Sequence, residues 1–213
     1  MDGLFARVSL CALGLFASLA SADISVADPA LQKCVSDIAK KHDWTQPEHV
    51  EQISCHNKKI ESIDGLEKFT SLTKLSLYKN TITALDLPRF DRLSHLNIAG
   101  NALTQLVVKD CDSLKVLYAF HNKLQRMTIQ GCSKLTQVKA NNNALRSADL
   151  TELPALKKLH LFDNELEELN IESLNQLRYL DVRQNPMSDE FYDYLDSVND
   201  LTSLHDGNAD DWE

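Results

Sequence analysis

The side chains best suited to chemistry in this sequence are aromatic rings mixed with cations and imidazoles. They recur at three phases of a 21-residue period: Tyr78, His95, Val116, Tyr118, Phe120, Lys139, His160, Phe162, Tyr179 and Arg183. Exposed aromatic residues among Lys, Arg and Asn have the composition of a protein-binding hot spot. The pattern predicts non-covalent recognition centred on Val116, Tyr118 and Phe120. Scattered aromatics in a sheet that favours them are the alternative.

Catalytic chemistry has no comparable signal in the sequence. There is no G-x-S-x-G, H-E-x-x-H or C-x-x-C motif and no Gly-rich phosphate loop. The seven histidines fall at spacings unlike those of a zinc site. We therefore expect no enzymatic activity, no cofactor and no metal site.

Four cysteines follow the first 22 residues, and an even number in an exported chain permits disulfides. Cys34 lies on the apolar face of a predicted helix and Cys55 at an inward position of a predicted strand. A disulfide between them would tie the two elements together, with two buried thiols as the alternative. Cys111 and Cys132 occupy the same slot one repeat apart, where small buried hydrophobes are favoured over a disulfide.

A leucine repeat positions the candidate side chains. Leucines recur every 21 residues, and an asparagine follows each after eight: Leu72, Leu93, Leu114, Leu135, Leu156 and Leu177, then Asn80, Asn101, Asn122, Asn143, Asn164 and Asn185. The pattern L-x-x-L-x-L-x-x-N-x-L is the signature of a leucine-rich repeat solenoid. Alternation along a strand such as residues 74–78 sends the leucines inward and the candidate residues outward. The asparagines are predicted to turn inward and bond backbone groups.

The second half of each repeat has its own apolar slots, such as Leu103, Leu106 and Val108. Ten or eleven residues leave too little chain for a helix in that half. We therefore predict an α/β-class, mostly β solenoid. It has a curved parallel sheet on the concave face, short strands or extended turns on the convex face, and helical caps at both ends.

The chain divides into four predicted segments. Residues 1–22 read as a signal peptide, with Arg7 before an apolar stretch and Ala20-Ser21-Ala22 as a cleavage site; a retained anchor is the alternative. Residues 23–52 form a helical cap that starts at Asp28-Pro29. Residues 53–185 hold one 22-residue repeat, five 21-residue repeats and one partial repeat. Residues 186–213 form an acidic cap and tail, whose predicted helix has its apolar face at Phe191, Tyr194, Leu195 and Val198, followed by a short strand over 201–204.

The charge of the chain is unevenly distributed. Its net charge is −9, yet residues 188–213 alone contain nine acids and no Lys or Arg, so the rest is neutral. A neutral body with an acidic end argues against nucleic acid and anionic membrane surfaces as partners. No apolar run after the signal peptide approaches the roughly 20 residues needed for membrane insertion.

The array resembles bacterial leucine-rich repeat proteins, in particular the nested 21-residue subclass called IRREKO. The stretch Ile-Glu-Ser-Ile-Asp-Gly-Leu-Glu-Lys-Phe-Thr-Ser-Leu-Thr-Lys-Leu over residues 60–75 resembles the start of an internalin-type array, whose repeats mostly have 22 residues. The resemblance implies a secreted or surface module that binds other proteins.

The sequence therefore predicts a secreted or periplasmic, monomeric and non-catalytic module that recognises a protein partner through its concave strand face. A cell-envelope structural or glycan-binding module is the alternative, with the aromatic rings stacking on sugars. The sequence identifies neither the partner nor whether it belongs to a host or to the producing cell.

Overall fold

Short strands and two helices follow one another through residues 24–87 and 89–207, the part of the chain that this computed structural model describes. In chain order they are α1 (Pro29–Lys41), β1 (Gln52–Ser54), β2 (Lys74–Ser76), β3 (His95–Asn97), β4 (Gln105–Lys109), β5 (Val116–Tyr118), β6 (Arg126–Gln130), β7 (Gln137–Lys139), β8 (Ser147–Thr151), β9 (Lys158–His160), β10 (Tyr179–Asp181), α2 (Asp189–Ser197) and β11 (Thr202–Leu204). The predicted signal peptide, residues 1–22, and the end of the tail, residues 208–213, lie outside the described residues.

Two parallel sheets form the walls of a solenoid. The larger has eight strands in the order β1-β2-β3-β5-β7-β9-β10-β11, and the smaller has three in the order β4-β6-β8. Each pair is shifted by one repeat, as in the pairing of Leu75 with Leu96 and of Leu96 with Leu117. The mostly β solenoid predicted from the leucines is confirmed. The smaller sheet is the strand-like outer wall predicted for the second half of each repeat.

Alternating side chains fill the space between the walls. In β2 the central Leu75 is buried while Lys74 is exposed, and the larger strand β4 alternates in the same way over five residues. One continuous core runs from the N-terminal helix to Leu195, with leucines buried in every coil. Each coil therefore contributes the same apolar slots, and stacking buries them against the next coil.

The asparagine column holds the backbone between coils. The side chain of Asn122 donates through Nδ2 to the carbonyls of Ile98 (3.1 Å) and Ala119 (3.0 Å), and its Oδ1 accepts from the amide of Leu103 (3.1 Å). Equivalent bonds recur at the other repeats. These bonds pair backbone groups that the turn would otherwise bury unsatisfied. The prediction that the asparagines turn inward is confirmed.

Each coil leaves its strand through one left-handed residue. The residue before each ladder position has φ between 52° and 68°: Asn57, Lys79, Gly100, His121, Asn142, Asp163 and Gln184. Left-handed backbone costs most non-glycine residues about 1–2 kcal/mol. Four of the seven are Gly, Asn or Asp, which enter this region most readily. The same conformation at Lys79 and Gln184 shows that the repeat geometry imposes the turn even where local preference opposes it.

The N-terminal helix is bonded to the first coil at two points, its N-terminal cap and Cys34 near its middle. Asp28 caps α1 by accepting from the amides of Ala30 and Leu31 through Oδ1, and its Oδ2 accepts from the amide of Glu61 in the first coil (2.9 Å). Farther along the helix, Cys34 forms a disulfide with Cys55, with Cα atoms 6.0 Å apart. The predicted Cys34–Cys55 bond is confirmed.

The C-terminal helix packs on a face that shares Leu195 with the predicted one but buries Tyr192 instead of Tyr194. Ser188 caps α2 as expected, but the helix buries Tyr192 and Leu195, whereas Tyr194 is 40% exposed. The Tyr192 hydroxyl donates to the carbonyl of Asn185 (3.1 Å), and its ring stacks on His205. A buried hydrogen-bond acceptor therefore decides which tyrosine turns inward. Neither helix of the described residues is long and apolar enough to cross a bilayer.

Cys111 and Cys132 are buried free thiols in adjacent coils. Each donates to the carbonyl two residues before it, those of Lys109 and Gln130. The adjacent Cys132 sulfur, together with burial, raises the pKa of the Cys111 thiol. The pair therefore fills the slot as small hydrophobes, the interpretation that the sequence favours.

Candidate functional site

The outward side chains of the eight-stranded sheet form one continuous surface, here called the strand face. Strand register aligns two columns across six coils, and backbone hydrogen bonds just beyond the strands align a third. The first column is Lys74, His95, Val116, Gln137, Lys158 and Tyr179; the second is Ser76, Asn97, Tyr118, Lys139, His160 and Asp181; the third is Tyr78, Ala99, Phe120, Asn141, Phe162 and Arg183. All ten residues predicted to contact a partner lie on this face. Their role in binding stays a prediction.

Aromatic rings from three coils pack together in the N-terminal half of the strand face. Ring centroids lie 6.3 Å apart for Tyr78 and Phe120, 6.2 Å for Tyr118 and Phe120, and 5.5 Å for Phe120 and His121. His56 meets the edge of Tyr78 at 6.0 Å. These five residues are called the aromatic patch. Their mutual contacts leave the three predicted aromatics half-buried and restrict their rotation before any partner arrives.

A small residue makes this packing geometrically feasible. Tyr78 and Phe120 are two coils apart, about 10 Å by strand spacing, yet their rings approach to 6.3 Å. Ala99 lies between them in the same column and has no exposed surface. A larger side chain at that position would separate the rings. The strand alternation predicts an outward Ala99, yet the folded chain buries it completely.

A second cluster occupies the C-terminal half of the strand face. The rings of His160 and Tyr179 have centroids 4.9 Å apart, and the Arg183 guanidinium lies 5.6 Å from the centroid of Phe162. Arg183 also donates to both carboxylate oxygens of Asp181, at 2.9 and 2.8 Å. This double hydrogen bond fixes the guanidinium over the ring. The cluster therefore presents polar and aromatic edges in a fixed arrangement.

Burial and nearby lysines lower the pKa of both histidines in the three columns, His95 and His160. Burial lowers the pKa of His95, and the nearby charges of Lys74 and Lys115 lower it further. Burial also lowers the pKa of His160, with a further contribution from Lys139. The neutral form of both imidazoles is therefore favoured, and the positive charge of the face comes mainly from its Lys and Arg side chains.

Sequence reasoning missed part of the aromatic patch. His56 and His121 were not among the predicted contact residues, although His56 has the phase of Tyr78 in the longer first repeat and His121 directly follows Phe120. The position of His56 within its repeat was therefore enough to place it in the same column as Tyr78. His121 reaches the patch from a left-handed turn residue, and strand alternation gives no direction for such a side chain.

A cavity of about 570 Å³ lies away from the strand face, between the outer wall and α2. Its lining includes Ala148, Ile171, Phe191 and Tyr194, together with acidic side chains of the last coil. Ala148 occupies the slot that Leu106 and Met127 fill in earlier coils, and the smaller side chain leaves this recess. None of the predicted contact residues borders it.

Among the comparisons with known proteins, only solved structures match this chain, and they share its architecture. No protein-family model matches the chain, and no curated protein matches it. Among solved structures, internalin C2 from Listeria monocytogenes is 22% identical, with a TM-score of 0.54, over 84% of this chain and 94% of that chain. YopM from Yersinia enterocolitica is 27% identical, with a TM-score of 0.62, over 73% of this chain.

The match to YopM covers 33% of the YopM chain, so this chain spans about a third of that protein. The likeness to internalin C2 concerns the fold, and it extends over nearly the whole of that chain. A solenoid of this kind suggests a protein-interaction module. The 21-residue coil, its asparagine ladder and these two likenesses together show that the chain is a leucine-rich repeat solenoid similar in fold to internalin C2 and YopM.

Proposed function

We propose that this chain is an exported, monomeric and non-catalytic module that holds a protein partner against its strand face. The observation that carries the proposal is the aromatic patch, in which the rings of Tyr78 and Tyr118 both pack against Phe120 on the strand face. Rings that are already restricted lose little conformational freedom when a partner binds. Aromatic residues of this kind dominate the energetics of protein interfaces.

Export is supported by the chemistry of two cysteines. The Cys34–Cys55 disulfide joins the cap to the first coil, and disulfides persist mainly in oxidising compartments. The predicted signal peptide agrees with this location. The proposed site of action is therefore the periplasm or the outside of the cell.

Substitution within the aromatic patch tests the proposed face. The chain from residue 23 onward is used to capture partners from host and bacterial extracts, in parallel with Tyr118→Ala and Phe120→Ala variants. Removing a central interface ring costs about 2 kcal/mol or more, so the captured partner should be retained about thirtyfold less. Quantitative mass spectrometry of the retained proteins measures the difference.

The matched control is Tyr194→Ala, which removes an exposed aromatic ring from α2 on another surface. This variant should capture the partner as the wild type does, and all variants should remain folded at the temperature of the capture experiment. Undiminished capture by Phe120→Ala would show that the partner binds elsewhere. Binding to a glycan array that depends on Phe120, without protein capture, would favour the glycan-binding alternative.

A further inference from the structure

We propose that the partner of the strand face is an acidic protein segment that carries an apolar side chain between its carboxylates. This inference rests on the proposed function, because it assigns a chemistry to the partner of the same face. Three features of the face support it: its charge, the distance between its lysines, and the position of the aromatic patch.

The strand face has the opposite charge to the chain as a whole. Its three columns contain Lys74, Lys139, Lys158 and Arg183 against the single carboxylate of Asp181, a formal charge of +3, whereas the chain carries −9. Complementary charge steers a partner toward its site and repels it from other surfaces. An acidic partner is therefore attracted to this face and disfavoured on the acidic remainder of the molecule.

The one carboxylate within the three columns does not neutralise their lysines. Asp181 is 5% exposed and is engaged by both donors of Arg183. No ion pair of the described residues includes Lys74, Lys139 or Lys158. These three ammonium groups are therefore available to an incoming carboxylate.

The spacing of the lysines suits an extended segment that crosses the strands. Lys74 and Lys158 lie in the same column four coils apart, about 19 Å by strand spacing. An extended chain of about six residues covers that distance. A segment with carboxylates near both of its ends can therefore reach Lys74 and Lys158 together.

The aromatic patch lies between these charges. Tyr118 and Phe120 belong to the coil that is two strands from Lys74 and two strands from Lys158. The Lys139 ammonium lies 5.4 Å from the centroid of the Tyr118 ring, so it adjoins the patch directly. An apolar side chain in the middle of the segment would contact the rings while flanking carboxylates meet the lysines. A sulfated polysaccharide supplies the negative charge without such an anchor.

Synthetic peptides test the chemistry directly. The probes are labelled peptides of about twelve residues, long enough to cross the face. One contains a single Trp among Glu residues, the second replaces every Glu by Gln, and the third replaces the Trp by Ser. Fluorescence anisotropy should show the Glu/Trp peptide binding more than about tenfold tighter than either analogue. Its affinity should fall as NaCl rises from about 50 to about 500 mM.

Reversing the charge of three lysines tests whether they bind the carboxylates of the peptide. The triple variant Lys74→Glu, Lys139→Glu and Lys158→Glu should lose the preference for the Glu peptide. The control triple Lys33→Glu, Lys109→Glu and Lys134→Glu makes the same change in net charge at exposed positions off the strand face, and it should keep the preference. The unfolding midpoints of both variants are measured to confirm that both are folded under the conditions of the binding experiment.

Equal affinity for the Glu and Gln peptides would overturn the inference, as would equal loss in both triple variants. Tighter binding of a heparin fragment than of the Glu/Trp peptide would also overturn it and favour a polysaccharide. If binding of a captured partner requires Phe120 but not the three lysines, the strand face remains the site and only its acidic preference is wrong. If neither Phe120 nor the lysines matter, the proposed function is wrong as well.

Discussion

At the scale of single residues, Asp28 has the most consequential contacts in the cap. One carboxylate oxygen caps α1, and the other accepts from the amides of Glu61 and Ser62 in the first coil. Burial alone would raise the pKa of this carboxyl, but the four backbone hydrogen bonds together hold it below its ordinary value. The charged form is therefore favoured by folding.

Replacing Asp28 should produce a loss of stability that depends on pH. Asp28→Asn keeps one acceptor oxygen for the helix amides but cannot accept at its amide nitrogen, so its bonds to Glu61 and Ser62 are lost. At pH 7 we expect a decrease of about 1–2 kcal/mol in the free energy of unfolding, measured by urea denaturation.

The direction of this pH dependence follows from the lowered pKa of the Asp28 carboxyl. The stabilisation by the charged Asp28 is fully present above about pH 4, the ordinary pKa of an aspartate, and is lost as the pH falls through the lowered folded-state pKa. The difference between wild type and Asp28→Asn should therefore narrow as the pH falls through that range. Asp37→Asn, at an exposed position of the same helix, is the control. A difference that stays constant down to about pH 2 would contradict the assigned role.

At the scale of elements, the asparagine ladder and the left-handed turn before it hold each coil in place. The ladder residue bonds its own coil and the one before it, so it acts as a cross-coil support rather than a local cap. The turn conformation is adopted by residues as different as Lys79, Gly100 and Gln184. The ladder therefore stabilises a backbone path that residues such as Lys79 and Gln184 would rarely adopt alone.

A central ladder substitution tests this support. Asn122→Ala leaves the carbonyls of Ile98 and Ala119 and the amide of Leu103 without their partner, and all three belong to buried residues. Buried unsatisfied groups cost about 1–3 kcal/mol each, and relaxation recovers part of this, so we expect a loss of about 3 kcal/mol. Urea denaturation measures it. Asn175→Ala, at an exposed position, should change stability by less than about 0.5 kcal/mol, and equal losses would refute the role of the ladder.

At the scale of the whole molecule, the solenoid depends on its sealed ends. Each coil contacts mainly its neighbours, so the first and last coils would expose apolar slots without a cap. The N-terminal helix covers one end and is tied there by Asp28 and by the Cys34–Cys55 bond. At the other end, α2 and β11 continue the core and the sheet. The two ends thus use different devices for the same purpose.

Reduction of the disulfide should loosen the N-terminal end. The bond joins residues separated by 21 positions, and closing such a loop contributes about 3 kcal/mol through the unfolded state. Reductant should therefore lower the free energy of unfolding of the wild type by about that amount. The double variant Cys34→Ala and Cys55→Ala should no longer respond to reductant.

The buried pair of free thiols provides the matched control for this experiment. The double variant Cys111→Ala and Cys132→Ala should retain the full response to reductant, because neither thiol takes part in the bond. Thiol counting confirms that reduction is complete in each sample. An unchanged urea midpoint of the fully reduced wild type would contradict the proposed contribution of the disulfide.

Much of this architecture was predictable because the repeat is strictly periodic. A fixed 21-residue spacing means that residues of equal phase lie in equal backbone environments, so the inward leucines, the asparagine ladder and the outward columns follow from phase alone. The strand-like outer wall followed from the length of the half repeat. Cys34 and Cys55 could be paired because each lies at a defined position of a predicted element.

The tertiary structure alone decided which side chains meet. Phase places Tyr78 and Phe120 in one column, but their contact depends on the small Ala99 between them and on the rotamers both rings adopt. Helical spacing could not choose Tyr192 over Tyr194, because the deciding acceptor is the carbonyl of Asn185 in another segment. Periodicity in the sequence determines the path of the backbone, whereas side-chain packing depends on neighbours that only the folded chain brings together.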